Sequence, residues 1–251
     1  MPSPLFIAIA VIAAFMAGLS KSNFAVSLGA VAVPLLALVM PARDAAGMML
    51  PILCLMDLIA ILIYRREVDW RVYGIMIPGA LVGTLIGWAL SARVSEAVVG
   101  LAVGLISLLF VFDAWLPLRQ KLQGPPSRPW GGFWGGIAGF TSFISHTGGP
   151  PYQIYAMPLR LDPVIYAGTT AVFFATVNYS KLIPFYFLGQ LSAANLELSA
   201  ALLPVGLCGM LAGVYLVRRV DAKFFYQFAY VLIFVLGLDL VYEGIRGIWF
   251  T

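Results

Sequence analysis

The chain has 251 residues and a formal net charge of +4; 62% of its residues are hydrophobic and only 10% are charged. A soluble globular domain has about 25% charged residues, so most of this chain's surface cannot face water. The composition excludes a soluble domain, a disordered chain, collagen and a disulfide scaffold. It predicts an all-α polytopic membrane protein whose main partner is the lipid bilayer.

Charged and turn residues divide the chain into ten apolar stretches. The longer ones match the roughly 20 helical residues that cross a hydrocarbon core of about 30 Å. The first, second, sixth and seventh are short and interrupted by glycine, serine or proline, which predicts broken or re-entrant helices. We place the stretches at 4–19, 24–40, 45–64, 72–91, 95–116, 131–145, 147–158, 164–189, 196–217 and 223–245.

The order of segments repeats in the two halves of the chain. The run Pro78–Gly87 matches Pro204–Gly213 in register, with a proline and two glycines shared, and Gly18 corresponds to Gly139. Chance similarity between glycine-rich membrane helices is the alternative to a duplication. We therefore predict two repeats of about five segments each. Their boundaries are residues 1–122 for the first repeat, 123–129 for a linker and 130–251 for the second repeat.

Lysine and arginine residues predict the orientation, because they favour the cytoplasmic side of a membrane. With the central linker placed inside, these residues divide ten to three in favour of the inside. An odd number of segments per half then makes the second repeat inverted. No lysine or arginine precedes Lys21, which argues against a cleaved signal peptide. We expect a multi-pass protein of the bacterial inner membrane.

The first break, at residues 18–24, places polar groups between apolar stretches, where their burial costs free energy. It contains Ser20, Lys21, Ser22 and Asn23. A charge in mid-membrane costs about 2.5–3.5 kcal/mol on insertion scales, so it needs a partner, water or a task. With backbone N–H groups freed at the break, these residues fit an anion-binding turn. The alternative is a lysine that extends to the interface from an ordinary helix end.

The second break, at residues 139–151, contains the chain's only histidine. Thr141, Ser145, His146 and Thr147 lie within it, followed by two glycines and two prolines. A lone buried histidine often has a purely structural role. In this setting we favour a function for His146, as a donor to an anion or as a proton carrier.

The third and eighth stretches add three more polar side chains. Asn178 and Lys181 are three residues apart and share a helix face. Asp57 occupies the position that corresponds to Asn178 in the first half. Asp57 is either a counter-ion of Lys21 or Lys181, or a carboxylate that couples transport to a proton or cation. The lysines and the histidine together predict an electropositive centre that suits an anion.

Motifs for other chemistry are absent from the sequence. It contains no phosphate-binding G-x-x-x-x-G-K-[ST] loop, no Cys/His metal cluster and no paired acids on one helix face. Ser145 and His146 are neighbours, but no orienting acid completes a triad. We expect no cofactor, no metal, no nucleic-acid partner and no enzyme activity.

The two breaks and the segments that follow them resemble the TauE/SafE family of sulfite-exporter-like transporters, also called the toluene-sulfonate uptake permease family. The resemblance rests on residues 17–24, 32–34, 78–87, 139–151 and 168–181 and extends over nearly the whole chain. It implies an inner-membrane carrier for sulfite or organosulfonates, with inverted repeats that meet at a central site. Family members commonly have a more glycine-rich first turn, where this chain has Ser22 and Asn23.

These arguments predict a secondary transporter, most simply an exporter, of sulfite or small organosulfonate anions that works by alternating access. The expected substrate-binding residues are the polar groups of both breaks together with Asn178 and Lys181. Alternatives are an anion channel, a carrier of another small inorganic or carboxylate anion, and a membrane-embedded enzyme or scaffold subunit. The regular glycine spacings predict close helix packing within the monomer, with a homodimer face as the second option.

Overall fold

The computed structural model describes residues 3–21, 29–91, 93, 95–116, 127–216 and 222–249. Within these ranges the secondary structure is helical throughout, without strands, which confirms the predicted all-α class. Ser22, Asn23 and most of the predicted linker lie outside the described residues. The helices are α1 (Pro4–Lys21), α2 (Gly29–Ala37), α3 (Ala42–Tyr64), α4 (Trp70–Ser91), α5 (Glu96–Trp115), α6 (Arg128–Ser145), α7 (Gly149–Ala156), α8 (Pro163–Phe187), α9 (Ala193–Leu216) and α10 (Ala222–Trp249).

Several of these helices are long and apolar enough to cross a membrane. Among the described residues, α1, α3, α4 and the part of α9 from Ala193 to Gly213 meet both conditions. Their interior prolines, such as Pro51 and Pro78, do not end the helices. In a bundle, neighbouring helices and polar side chains satisfy the backbone groups that a proline frees.

Polar side chains begin several helices by accepting hydrogen bonds from the first backbone N–H groups. Asp69 Oδ1 accepts from the backbone N–H groups of residues 71 and 72 at 2.9 and 3.0 Å, at the start of α4. Ser127 Oγ caps α6, and Asp162 Oδ1 caps α8. These caps lie beside the arginine-rich segments that the charge argument assigns to the cytoplasm.

The first helix of each half packs against the fourth helix of the other half. Helix α1 lies against α9, and α6 lies against α4. The third helices, α3 and α8, also contact each other, as do the last helices, α5 and α10. The two halves are therefore interlocked through their helices, and both contribute to the centre of the molecule.

Glycines at matching positions make these crossed contacts possible. A Cβ atom on Gly18 would collide with the carbonyl oxygen of Gly206, and a Cβ on Gly139 would collide with that of Ala80. The sequence alignment pairs Gly18 with Gly139 and Gly206 with Ala80, so the same contact occurs twice. Gly83 likewise leaves no room for a Cβ against its neighbour in α6. Gly18, Gly83 and Gly139 therefore serve helix packing within the monomer.

Helices α6 and α7 form a hairpin, in which α7 folds back along α6: a Cβ atom on Gly131, at the start of α6, would meet the ring of Tyr155, near the end of α7. Helix α6 ends at His146, whose backbone is left-handed with φ 56° and ψ 24°. Its N–H donates to the Ser142 carbonyl oxygen at 3.0 Å. Gly148 follows, and Pro150 and Pro151 stand at the start of α7, where their missing N–H groups cost nothing. The break brings the side chains of residues 141–147 into the interior.

Candidate functional site

A small cavity lies where the two breaks face α3 and α8. Its volume is about 70 Å³, and residues from α1, α2, α3, α6, α7 and α8 form its wall. The polar residues of the wall are Ser20, Lys21, Asp57, Ser142, His146, Thr170 and Asn178. By this measure of volume one water needs about 10–15 Å³, so the space suits a small oxyanion or several waters.

Lys21 and Asp57 form an ion pair across the cavity wall. Lys21 Nζ donates to Asp57 Oδ1, and Asn178 Nδ2 donates to Asp57 Oδ2 at 2.6 Å. Only 1% of the Asp57 side chain is exposed, compared with 15% for Lys21. Both carboxylate oxygens thus have a donor, and the pair joins α1, α3 and α8. Of the two counter-ions that the sequence left open, the structure places Lys21 against Asp57.

Lys181 lies behind the cavity wall and is fully buried. Its Nζ lies 3.0 Å from the Ser142 carbonyl oxygen, 3.0 Å from Ser142 Oγ and 2.7 Å from His146 Nδ1. An ammonium group has three donors. All three are used within the protein, so the polar contacts of Lys181 are internal.

His146 has both ring nitrogens engaged. Nε2 lies 2.9 Å from the Ala46 carbonyl oxygen, which can only accept, so Nε2 carries the hydrogen. Nδ1 then accepts from Lys181 as the unprotonated nitrogen of a neutral imidazole. This network ties the second break to α3 and α8, with one face of the ring on the cavity.

The hydroxyl groups of the second break bond mainly to one another and to the helix end. Ser145 Oγ and Thr147 Oγ1 are 2.8 Å apart, and Thr141 Oγ1 donates to the Ile137 carbonyl oxygen at 2.9 Å. All three side chains are buried and outside the cavity wall. In the described conformation they stabilise the break, and their contact with a substrate remains a prediction.

The structure also brings in residues that the sequence did not single out. Ser142 lies on the cavity wall and holds Lys181 through two oxygens. Its position corresponds to that of Lys21 in the first half, a relation that the alignment of Gly18 with Gly139 already contained. Thr170 also lines the cavity, and its Oγ1 is 3.2 Å from the hydroxyl of Tyr152. Only the fold could bring Tyr152 to Thr170.

The arrangement can hold a small anion but offers little for bond-breaking chemistry. Lys21 is the cation that reaches the cavity, and Asn178 and Ser20 place further polar groups beside it. In the described residues no three His, Cys, Asp or Glu side chains are arranged to hold a metal ion. A small cavity surrounded by helices, with a lysine, an aspartate and an asparagine on its wall, is an arrangement expected of a membrane carrier for a small polar solute.

Comparison with known proteins agrees with this class. The model of the sulfite exporter TauE/SafE family matches residues 10–240, so the chain belongs to this family. A curated relative from Comamonas testosteroni, the probable inner membrane transporter protein TsaS, is 28% identical over 179 residues, covering 70% of this chain and 73% of the relative. No solved structure matches the chain. The predicted family and the multi-pass location in the inner membrane are confirmed.

Proposed function

We propose that this protein is a secondary transporter that exports sulfite or small organosulfonate anions across the inner membrane. The main support is the cavity between the two halves, with Lys21 on its wall and Lys181 fixed behind it. An anion that leaves water needs a compensating charge and donors. Lys21 supplies the charge that can move, and Lys181 supplies a charge that stays in place.

In this proposal the cavity residues differ in role. Lys21, Asn178 and Ser20 contact the anion directly, and His146 and Lys181 shape the potential of the site. Ser22 and Asn23 adjoin Lys21 in the sequence and are proposed to add hydrogen bonds. Thr141, Ser145 and Thr147 are proposed to reach the anion when the second break rearranges during the cycle. The proposal leaves room for a homodimer but does not require one.

The crossed packing of the halves supports alternating access between two inverted repeats. Helix pairs α1–α9 and α6–α4 are built alike, and both cross near the cavity. If each pair loosens in turn, the cavity opens first to one side and then to the other.

Labelling of single cysteines tests the inversion. In a background without Cys54 and Cys208, a membrane-impermeant maleimide should modify Ala194→Cys in intact cells and spare Gln123→Cys until the membrane is permeabilised. Labelling of both positions from the same side would contradict inverted repeats.

Transport itself is best tested by counterflow in proteoliposomes. Vesicles loaded with unlabelled sulfite should accumulate external radiolabelled sulfite transiently, and vesicles loaded with acetate at the same concentration should not. Vesicles with the Lys21→Met variant serve as the matched control. Absence of counterflow with sulfite and with ethanesulfonate would refute the proposed substrate class. Flux above about 10⁵ ions per second without counterflow would indicate a channel, because conformational cycling takes μs–ms.

A further inference from the structure

The donors that an incoming anion needs are already bound to Asp57. Lys21 and Asn178 both line the cavity, and each donates to a different oxygen of this carboxylate. Ser20 offers no alternative in this conformation, because its hydroxyl donates to the Ala17 carbonyl oxygen at 2.6 Å. The anion and the Asp57 carboxylate therefore compete for the same cation and the same amide.

An anion that binds Lys21 and Asn178 leaves the buried Asp57 carboxylate without hydrogen-bond donors. The side chain is 1% exposed, and an anion that fills the cavity excludes water from it, so water does not replace the two lost donors. A buried carboxylate without a partner, next to a second negative charge, is strongly unfavourable. Uptake of a proton by Asp57 removes that charge and leaves a neutral carboxylic acid.

We propose that Asp57 takes up one proton whenever the anion binds to Lys21, so that each anion crosses the membrane together with a proton. This inference rests on the proposed transport function. Before binding, the Lys21 ammonium is balanced by the Asp57 carboxylate. After binding, it is balanced by the anion, and Asp57 is neutral. The proton comes from the water to which the cavity is open, and it is released when Asp57 pairs with Lys21 again.

Other titratable groups surround Asp57, but none offers the same exchange. Cys54 precedes it on α3, and Tyr179 and Lys181 face it from α8. Tyr179 donates to the Cys54 carbonyl oxygen at 3.1 Å, and Lys181 is held by Ser142 and by His146 of α6. Lys21 is the cation that faces it from α1, and the described residues of α2 include no titratable side chain. Asp57 is the acidic group whose partners the anion must displace.

The second half of the molecule supports this assignment. The position that corresponds to Asp57 is Asn178, which has nearly the shape of a protonated aspartate and no charge. The fold thus already contains a neutral group at the equivalent place. At this position the two halves differ by one titratable group: Asp57 can take up a proton, and Asn178 cannot.

Titration calorimetry with purified protein and sulfite tests the proposal. Measurements in two buffers of different ionisation enthalpy give the number of protons taken up per sulfite bound. Wild type should take up about one proton more per sulfite than Asp57→Asn. Any change in the protonation of sulfite itself is the same for both proteins and cancels in this difference. At pH 8 to 9, far above the pKa of about 4 of an exposed aspartate, Asp57→Asn should bind sulfite roughly ten- to a hundredfold more tightly than wild type, since Lys21 is no longer held.

Asp44→Asn is the matched control, because Asp44 lies on the same helix, accepts from Asn195 at 3.1 Å and is not on the cavity wall. It should keep the wild-type proton number and affinity. An equal proton number in wild type and Asp57→Asn would overturn the proposal. Absence of sulfite binding by folded wild type would instead refute the proposed function.

A second measurement needs no variant and so does not depend on the folding of Asp57→Asn. The infrared difference spectrum of wild-type protein, with sulfite minus without, should gain the C=O stretching band of a protonated carboxylic acid. The band should shift when the sample is exchanged into D₂O. A spectrum without this band at saturating sulfite would contradict proton uptake by Asp57.

Discussion

The ends of α1 and α6, where the two breaks begin, are similar in packing and different in chemistry. At the first break, Lys21 belongs to the break itself and pairs with Asp57 on α3. At the second break, the lysine comes from the facing helix α8, and Ser142 and His146 of the break receive it. Each break therefore contacts one lysine. At the first break the lysine belongs to the break, and at the second it belongs to the facing helix.

The difference separates two tasks that a carrier of anions has to perform. Lys181 has three acceptors within the protein and no exposure, so its position is fixed. Lys21 has one acceptor in the described residues and reaches the cavity. A fixed charge lowers the cost of bringing any anion to the centre, whereas a charge that can exchange partners binds and releases one. Four predictions sharpen or break this comparison.

The largest effect is expected where the two breaks are alike. Gly18→Ala and Gly139→Ala should each prevent normal folding, because the new methyl group meets a backbone carbonyl of the facing helix, which cannot move aside. Size-exclusion chromatography in detergent should show little monodisperse protein for either. Gly74→Ala is the control: nothing lies within 4 Å of its Cβ position, so this variant should gain about 0.5–1 kcal/mol. If only one of the two glycine variants misfolds, the packing is not equivalent.

Replacement of Lys181, the fixed lysine, by methionine should lower the free energy of unfolding more than Lys21→Met does. Lys181→Met leaves Ser142 Oγ and His146 Nδ1 without their donor, and a buried polar group without a partner costs roughly 1–3 kcal/mol. The melting temperature in detergent should fall accordingly. A Lys181→Met protein that melts like wild type but no longer binds sulfite would assign Lys181 to the substrate instead.

A smaller effect is expected from Ser142→Ala. Lys181 loses one of its three acceptors and keeps the Ser142 carbonyl oxygen and His146, so the loss should be about 0.5–1.5 kcal/mol. Sulfite counterflow should persist. Ser107→Ala removes a comparable buried hydroxyl, bonded to Val103 on α5 at 2.8 Å and far from the cavity, and controls for a generic serine effect. Complete loss of counterflow in Ser142→Ala alone would show that Ser142 binds the anion.

The sequence was sufficient to predict the class and the second of the two helix breaks. Apolar stretches bounded by charges and turn residues determine helix positions in a membrane, and His146 lies at the predicted break with Gly148 beside it. The alignment of Gly18 with Gly139 identified two positions with matching contacts, but it did not predict which helix each glycine faces. These features depend on local composition and on close approach of backbones, both of which leave a pattern in the chain.

The partners of the site residues could not be predicted in the same way. Asp57 was compatible with Lys21 or Lys181, and the choice depends on which helix faces which across the cavity. Lys181 uses all three of its donors on Ser142 and His146, and these contacts depend on side-chain geometry at the second break. Spacing along one helix gives a shared face but not the identity of the group opposite it.

The central claim is that Lys21 is the cation that binds the anion, and one comparison tests it most directly. The sulfite affinities of Asp57→Asn and of the double variant Asp57→Asn/Lys21→Met differ by the Lys21 charge alone, because neither protein leaves an unpaired carboxylate. The double variant should fold and bind sulfite roughly ten- to a hundredfold more weakly, the value of a charge-assisted hydrogen bond of about 1.5–3 kcal/mol. Equal affinities in two folded proteins would show that Lys21 serves only as the counter-ion of Asp57 and that the anion binds elsewhere.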